Sequence, residues 1–209
     1  MDALFQAPIT LALLLLNVGV SFYALSGDRS MLAELSFQPR RIWEEGEYYR
    51  FLTAGFVHVG TGHLAFNMFT LFFFGPELES VLGPAGFLIL YFGSELAAHG
   101  LTFALNRDEP GYSAVGASGA VSGVVFAFVL YAPFAMLGIM FIIPMPAILF
   151  AVLYVVGSIY ALRQGRDGVA GGIAHEAHLG GAVGGVLLTI LLDPRSVTVF
   201  LRQIGSVIG

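Results

Sequence analysis

The chain has 209 residues, of which 57% are apolar and only 11% charged, with a mean hydropathy of +0.84. A soluble globular domain carries roughly 25% charge, so a water-soluble fold is excluded and a polytopic membrane protein is expected. Nine basic residues, all Arg, against 14 acidic ones give a net charge of −5, which leaves no electrostatic footprint for nucleic acid, and the absence of Cys excludes disulfides and thiolate metal sites.

A helix needs about 20 mostly apolar residues to cross the hydrocarbon core, so spans are counted from uncharged runs. Ala3 to Gly27 holds 25 residues without a charge and predicts a first span over 8–25. With no basic region at its amino end and no small-residue cleavage site, this run reads as a retained helix and not as a cleaved signal peptide. Residues 27–50 are the one strongly charged stretch, with Arg29, Glu34, Arg40, Arg41, Glu44, Glu45 and Glu47 around Trp43, Tyr48 and Tyr49. That mixture predicts an interfacial loop with short amphipathic helices.

The segment HLAFNMFTLFFF places a second span at 63–81, ending near Gly75 and Pro76, and a third at 84–105 carries Glu95 and His99. Pro110 to Leu162 has no charge across 53 positions, about twice the bilayer thickness at ~1.5 Å per residue, so it must fold back. Pro133, Pro144 and Pro146 mark the break between a fourth span at 116–132 and a fifth at 147–162. A polar, glycine-rich stretch, Arg163 to Glu176, leads to a sixth span at 177–192, and the tail from Ser196 is too short to cross. The expectation is one all-α membrane domain over 1–209, since continuous apolar runs argue against a β-barrel.

In six antiparallel spans, helices two, four and six begin on the same face. His63 and Asn67 open the second, Ser118 lies in the GASG turn opening the fourth, and His178 opens the sixth. Ionisable and polar groups at membrane depth are costly and mark candidate sites. Ser118 can act as a nucleophile and His178 as its base, a dyad with no carboxylate behind it. His63 and Asn67, four apart on one helical face, can aim N–H donors at a developing oxyanion, and the Ser118 amide at a helix start adds another. Ser122, one turn deeper, is the alternative nucleophile in a poorer motif. Small residues in GASG and AHLGGAVGG also serve helix packing, with Gly119 and Gly123 expected against Gly181 and Gly185. His58 reads as a structural ligand of loop backbone, Glu79 as a tie between helix ends, and Glu95 with His99 as a pair.

These motifs resemble the rhomboid family of intramembrane serine proteases. HVGTGHLAFN is similar to its His-x4-His-x3-Asn pattern at His58, His63 and Asn67, and GPELESVLG to its Gly-x3-Glu-x3-Gly pattern at Gly75, Glu79 and Gly83. GASG matches Gly-x-Ser-Gly around Ser118, and AHLGGAVGG matches Ala-His-x2-Gly-x3-Gly at His178, Gly181 and Gly185. The resemblance implies a six-transmembrane-helix rhomboid bundle around a water-filled cavity, cleaving transmembrane protein substrates within the lipid bilayer without metal or cofactor. Ser118 and His178 would be catalytic, with His63, Asn67 and the Ser118 amide as the oxyanion site, and helix five with the 163–176 loop would gate substrate access. One position departs from the family pattern: the aromatic residue often found one turn after the serine, packed on the imidazole, is Ser122 here, and the next aromatic is Phe126.

The resemblance also implies a cell-membrane protein whose active site opens to the extracytoplasmic side. The arginine count opposes this, with Arg29, Arg40, Arg41, Arg50, Arg107, Arg163 and Arg166 on the active-site side and only Arg195 and Arg202 on the other. The family orientation is preferred because an interfacial loop can hold arginines in local pairs. Other intramembrane proteases fail on their residues: HEAHL lacks the second His at the zinc-site spacing, and every Asp falls outside the spans. No inverted repeat suggests a transporter. The remaining rival is a catalytically silent rhomboid relative that binds membrane clients, against which stand both Ser118 and His178.

Overall fold

The structure, a computed structural model, describes residues 2–27, 30–139, 143–164 and 174–208. Arg29, Arg166 and most of the 163–176 loop therefore lie outside the described residues. After a short helix α1 (Asp2–Phe5), α2 (Pro8–Ser26) opens with proline in its first turn, where a missing N–H costs nothing. Its N-cap position, Ala7, offers no side chain to the free amides. The buried Glu79 carboxylate does so from another helix, accepting from Ile9 N (2.9 Å), Thr10 N (2.7 Å) and Thr10 Oγ1 (2.8 Å). A negative group there also meets the positive end of the helix dipole. Glu79 thus ties two helix ends together, the role its place in the sequence suggested.

The charged stretch forms α3 (Ser30–Leu35), α4 (Pro39–Glu45), α5 (Arg50–Thr53) and a 3₁₀ turn over Ala54–Phe56. Its described arginines are paired locally: Arg40 with Glu44 (3.0 Å), Arg41 with Glu45 (3.0 Å) and Glu47 (2.8 Å), Arg50 with Glu47 (2.6 Å). Arg50 is completely buried and also donates to the carbonyls of Ala33 (3.0 Å) and Ser36 (2.6 Å).

Helix α6 (Thr61–Asn106) turns sharply at Gly83, whose φ of 71° and ψ of 166° suit glycine alone, and Pro84 starts the second arm in its preferred first-turn place. The two arms are antiparallel. Glu79 meets the start of α2, Tyr91 receives a bond from Asn17 further along α2 (3.4 Å), and His99 reaches Phe51 O (2.7 Å), just before the first arm begins.

Helix α7 (Ser118–Tyr131) is buried on all sides over most of its length, as expected of a helix that is apolar all round. It starts two residues later than the sequence suggests, because Gly116 has φ 118° and cannot be helical. The proline-rich break is an antiparallel hairpin, β1 (Met136–Ile139) and β2 (Ile143–Pro146), which the sequence reading did not anticipate. Proline is tolerated there since a two-stranded ribbon has only edges. Helix α8 (Ala147–Arg163) follows, then α9 (His175–Leu192) and α10 (Arg195–Ile208), which the Gln203 side chain ties to the end of α7 by donating to Tyr131 O (2.6 Å).

The centre is built from α6, α7 and α9 in backbone contact. A Cβ on Gly181 would collide with the backbone of Gly119, and one on Gly185 with that of Gly123. Gly180 would meet Ala97 O at 2.8 Å. Such approach is the small-residue packing of membrane helices. In contrast, α8 buries only Ala147 and Ser158 and lies at the edge of the bundle. The outer surface is apolar: Leu15, Phe22, Phe73, Ile89, Val156 and Leu191 are all exposed. Three helices, α2, α6 and α9, are long and apolar enough to cross a membrane, and α7 and α8 are shorter apolar helices.

Candidate active site

Ser118 is the first residue of α7, and the turn before it is shaped by what surrounds it. The imidazole of His63 lies so close to Gly116 that a Cβ there would meet its Cε1 at 2.5 Å, a second reason besides φ for glycine at this position. The amides around the serine are satisfied one by one. Gly116 N donates to Ala54 O (2.9 Å), Ala117 N to His58 Nε2 (3.3 Å) and Ala120 N to Glu95 Oε2 (2.8 Å). The amides of Ser118 and Gly119 have no acceptor among the described residues and sit at the positive end of α7.

His58 is structural, as its place in the sequence suggested, and its tautomer follows from its partners. Ser21 Oγ donates to Phe56 O (2.9 Å), so its bond with His58 Nδ1 (2.8 Å) takes a proton from the ring, while Nε2 accepts from Ala117. Burial pushes the His58 imidazole down to about 3, with nearby His63 a smaller cause. Its ring also packs edge-on against His63, centroids 4.9 Å apart. Glu95 and His99 do approach each other (3.5 Å), but their shorter bonds go elsewhere: Glu95 caps α7, and His99 bonds Phe51 O and stacks on Phe37 (4.3 Å, 6°).

Ser118, His178, His63 and Asn67 all line one cavity of about 1650 Å³. It is lined further by the apolar Phe66, Val121, Phe126 and Phe150 and by Arg40, Glu44 and Met136. Asn67 Nδ2 donates one proton to His63 O (3.2 Å), and its second has no acceptor among the described residues. Ser118 and His178 are brought onto one wall by the Gly119–Gly181 contact of α7 with α9, which sits one residue past the serine and three past the histidine. Among the described residues, no hydrogen bond joins the Ser118 hydroxyl to His178; such bonds are often long until substrate is bound.

Sequence reasoning missed Tyr154. From α8 its ring lies nearly parallel to His178, centroids 5.9 Å apart at 23°, and its hydroxyl bonds Ser122 Oγ (2.5 Å). Ser122 Oγ in turn donates to Ser118 O (2.7 Å), so its proton is engaged and it is the poorer nucleophile of the two serines. The available signal was chemical: a tyrosine within an apolar helix needs a partner for its hydroxyl.

A family model described as Rhomboid domain matches residues 45–195. The chain is 30% identical over 155 residues to RHOMBOID-like protein 12, mitochondrial, of Arabidopsis thaliana, covering 67% of this chain and 45% of that protein. It is 40% identical over 79 residues to the putative rhomboid protease YdcA of Bacillus subtilis (strain 168), covering 38% of this chain and 39% of the relative. Rhomboid protease AarA of Providencia stuartii is 28% identical over 217 residues, 91% of this chain and 75% of its own. The chain thus spans less than half the length of the first two relatives. With the domain matched over most of the chain, including His63, Asn67, Ser118 and His178, the chain belongs to the rhomboid family.

Proposed function

We propose that the chain is an intramembrane serine endopeptidase that cuts membrane-protein substrates in or near their transmembrane segments. The observation that carries this reading is the convergence of Ser118, His178, His63 and Asn67 on one cavity inside a bundle with an apolar outer surface. In the proposed topology α2, the two arms of α6, α7, α8 and α9 make six spans of a single domain, with residues 27–50 at the interface.

His178 takes the Ser118 hydroxyl proton as Oγ attacks the scissile carbonyl carbon. The carbonyl π electrons move to oxygen, and the resulting oxyanion accepts from the second Asn67 Nδ2 proton, an N–H of His63 and the Ser118 amide. Collapse breaks the C–N bond, with the His178 proton going to the leaving amine and an acyl ester left on Ser118. Water, deprotonated by His178, then releases the acid and restores the serine. A hydrogen-bonded helix hides its carbonyls, so substrates need small or helix-destabilising residues at the cut. The cavity opens extracytoplasmically in this reading, and pairing of Arg40, Arg41 and Arg50 with glutamates reduces the conflict with the arginine count.

The chemistry is tested by a fluorophosphonate that phosphonylates activated serines. One adduct per chain, mapped to Ser118 and lost in His178→Ala, supports the reading; an adduct at Ser122, or one unaffected by His178→Ala, refutes it.

A further inference from the structure

We propose that Tyr154 of α8 is the positioning residue for His178, so that the face of the base is supported from the loosely packed edge helix. This rests on the Ser118–His178 reading above. Among the described residues His178 makes no side-chain hydrogen bond, and its ring contacts are the stack on Tyr154 and an edge-on approach of His175 (6.2 Å) from its own helix. Its orientation must therefore come from packing. On α7 the residue one turn past Ser118 is Ser122, too small to cover an imidazole, and the next ring, Phe126, packs on Tyr154 (5.4 Å) and not on the histidine.

The Tyr154 ring is held at its tip and along its sides. Ser122 Oγ has one proton, which goes to Ser118 O (2.7 Å), so the 2.5 Å contact must be Tyr154 donating to Ser122. This ordered chain pins the hydroxyl one turn below the nucleophile. Phe126 and Phe150 (5.5 Å) flank the ring, and the face left over lies along His178. Because α8 buries only Ala147 and Ser158, the brace travels with the least anchored of the long helices that line the cavity. Displacing α8 to widen the cavity would also remove the support of the base, which couples substrate access to His178 orientation.

The test compares cleavage kinetics in proteoliposomes for the parent, Ser118→Ala, Tyr154→Phe, Tyr154→Ala, and a ring transfer, Ser122→Tyr with Tyr154→Ala, with unfolding temperatures for each. Tyr154→Ala is expected to lower kcat about tenfold to a hundredfold with KM unchanged, since misplacement of a base by ~1 Å has that effect. Tyr154→Phe keeps the stack and stays near the parent, and the ring transfer recovers most of the lost kcat. Parental kcat in Tyr154→Ala beside an inactive Ser118→Ala would overturn the positioning role and leave the dyad standing. So would a raised KM at parental kcat, which marks a substrate contact, or a stably folded ring transfer with no recovery. Ser118→Ala as active as the parent would remove the dyad and the positioning role together.

Discussion

Asn67 and His58 show how differently two polar residues of one motif are used. Asn67 has one amide proton without an acceptor among the described residues, so Asn67→Ala should lower kcat by about a hundred- to a thousandfold, the usual effect of removing one oxyanion donor, with little change in unfolding temperature. A rate within twofold of the parent would take Asn67 out of the oxyanion site. His58 instead bridges Ser21 and the Ala117 amide as a neutral ring. Its proton affinity is lowered by folding from 6.5 to about 3, so the folded form binds the proton less well than the unfolded chain. Its contribution is complete above about pH 6.5 and is lost as pH falls toward 3. Thermal unfolding of Ser118→Ala, with and without His58→Gln, should show a steeper acid-side decline when His58 is present; parallel curves would contradict this. The motif spacing made His58, His63, Asn67, Ser118 and His178 legible as residues. Tyr154 was not, because a lone tyrosine in an apolar run has no spacing rule and its partners come from α7 and α9.

At the scale of elements, the apolar runs placed helix starts near Pro8, Pro84 and Ala147, but the second run was expected to end near Gly75 and Pro76, and the helix continues through both to the turn at Gly83. The starts of α7 and the hairpin were less readable. Ser118 follows a Gly116 whose positive φ and contact with His63 are not visible in the sequence, and the strands of the hairpin lie in an uncharged run whose prolines suggested only a turn. The packing of α7 on α9 carries the sharpest expectation here. The atoms that a Cβ on Gly181 would meet are backbone atoms of Gly119, which cannot rotate away. Gly181→Val should therefore destabilise by about 2–3 kcal/mol or more and separate Ser118 from His178. Unchanged unfolding together with unchanged cleavage would contradict this account of the contact.

For the molecule as a whole, polar chemistry is concentrated inside and apolar surface outside, the inverse of what a water-soluble enzyme needs. The buried carboxylates Glu79 and Glu95 are each spent on helix N-termini, at α2 and α7, and Arg50 on loop carbonyls and Glu47. These buried charged side chains thus hold the architecture, and the polar groups that share the cavity with Ser118 include the imidazoles of His63 and His178 and the Asn67 amide. Its most direct test is cleavage of a single-span substrate in proteoliposomes by the parent chain beside Ser118→Ala and His178→Ala variants of equal fold and amount. The account predicts a defined fragment from the parent and none from either variant; the same fragment from Ser118→Ala would contradict it.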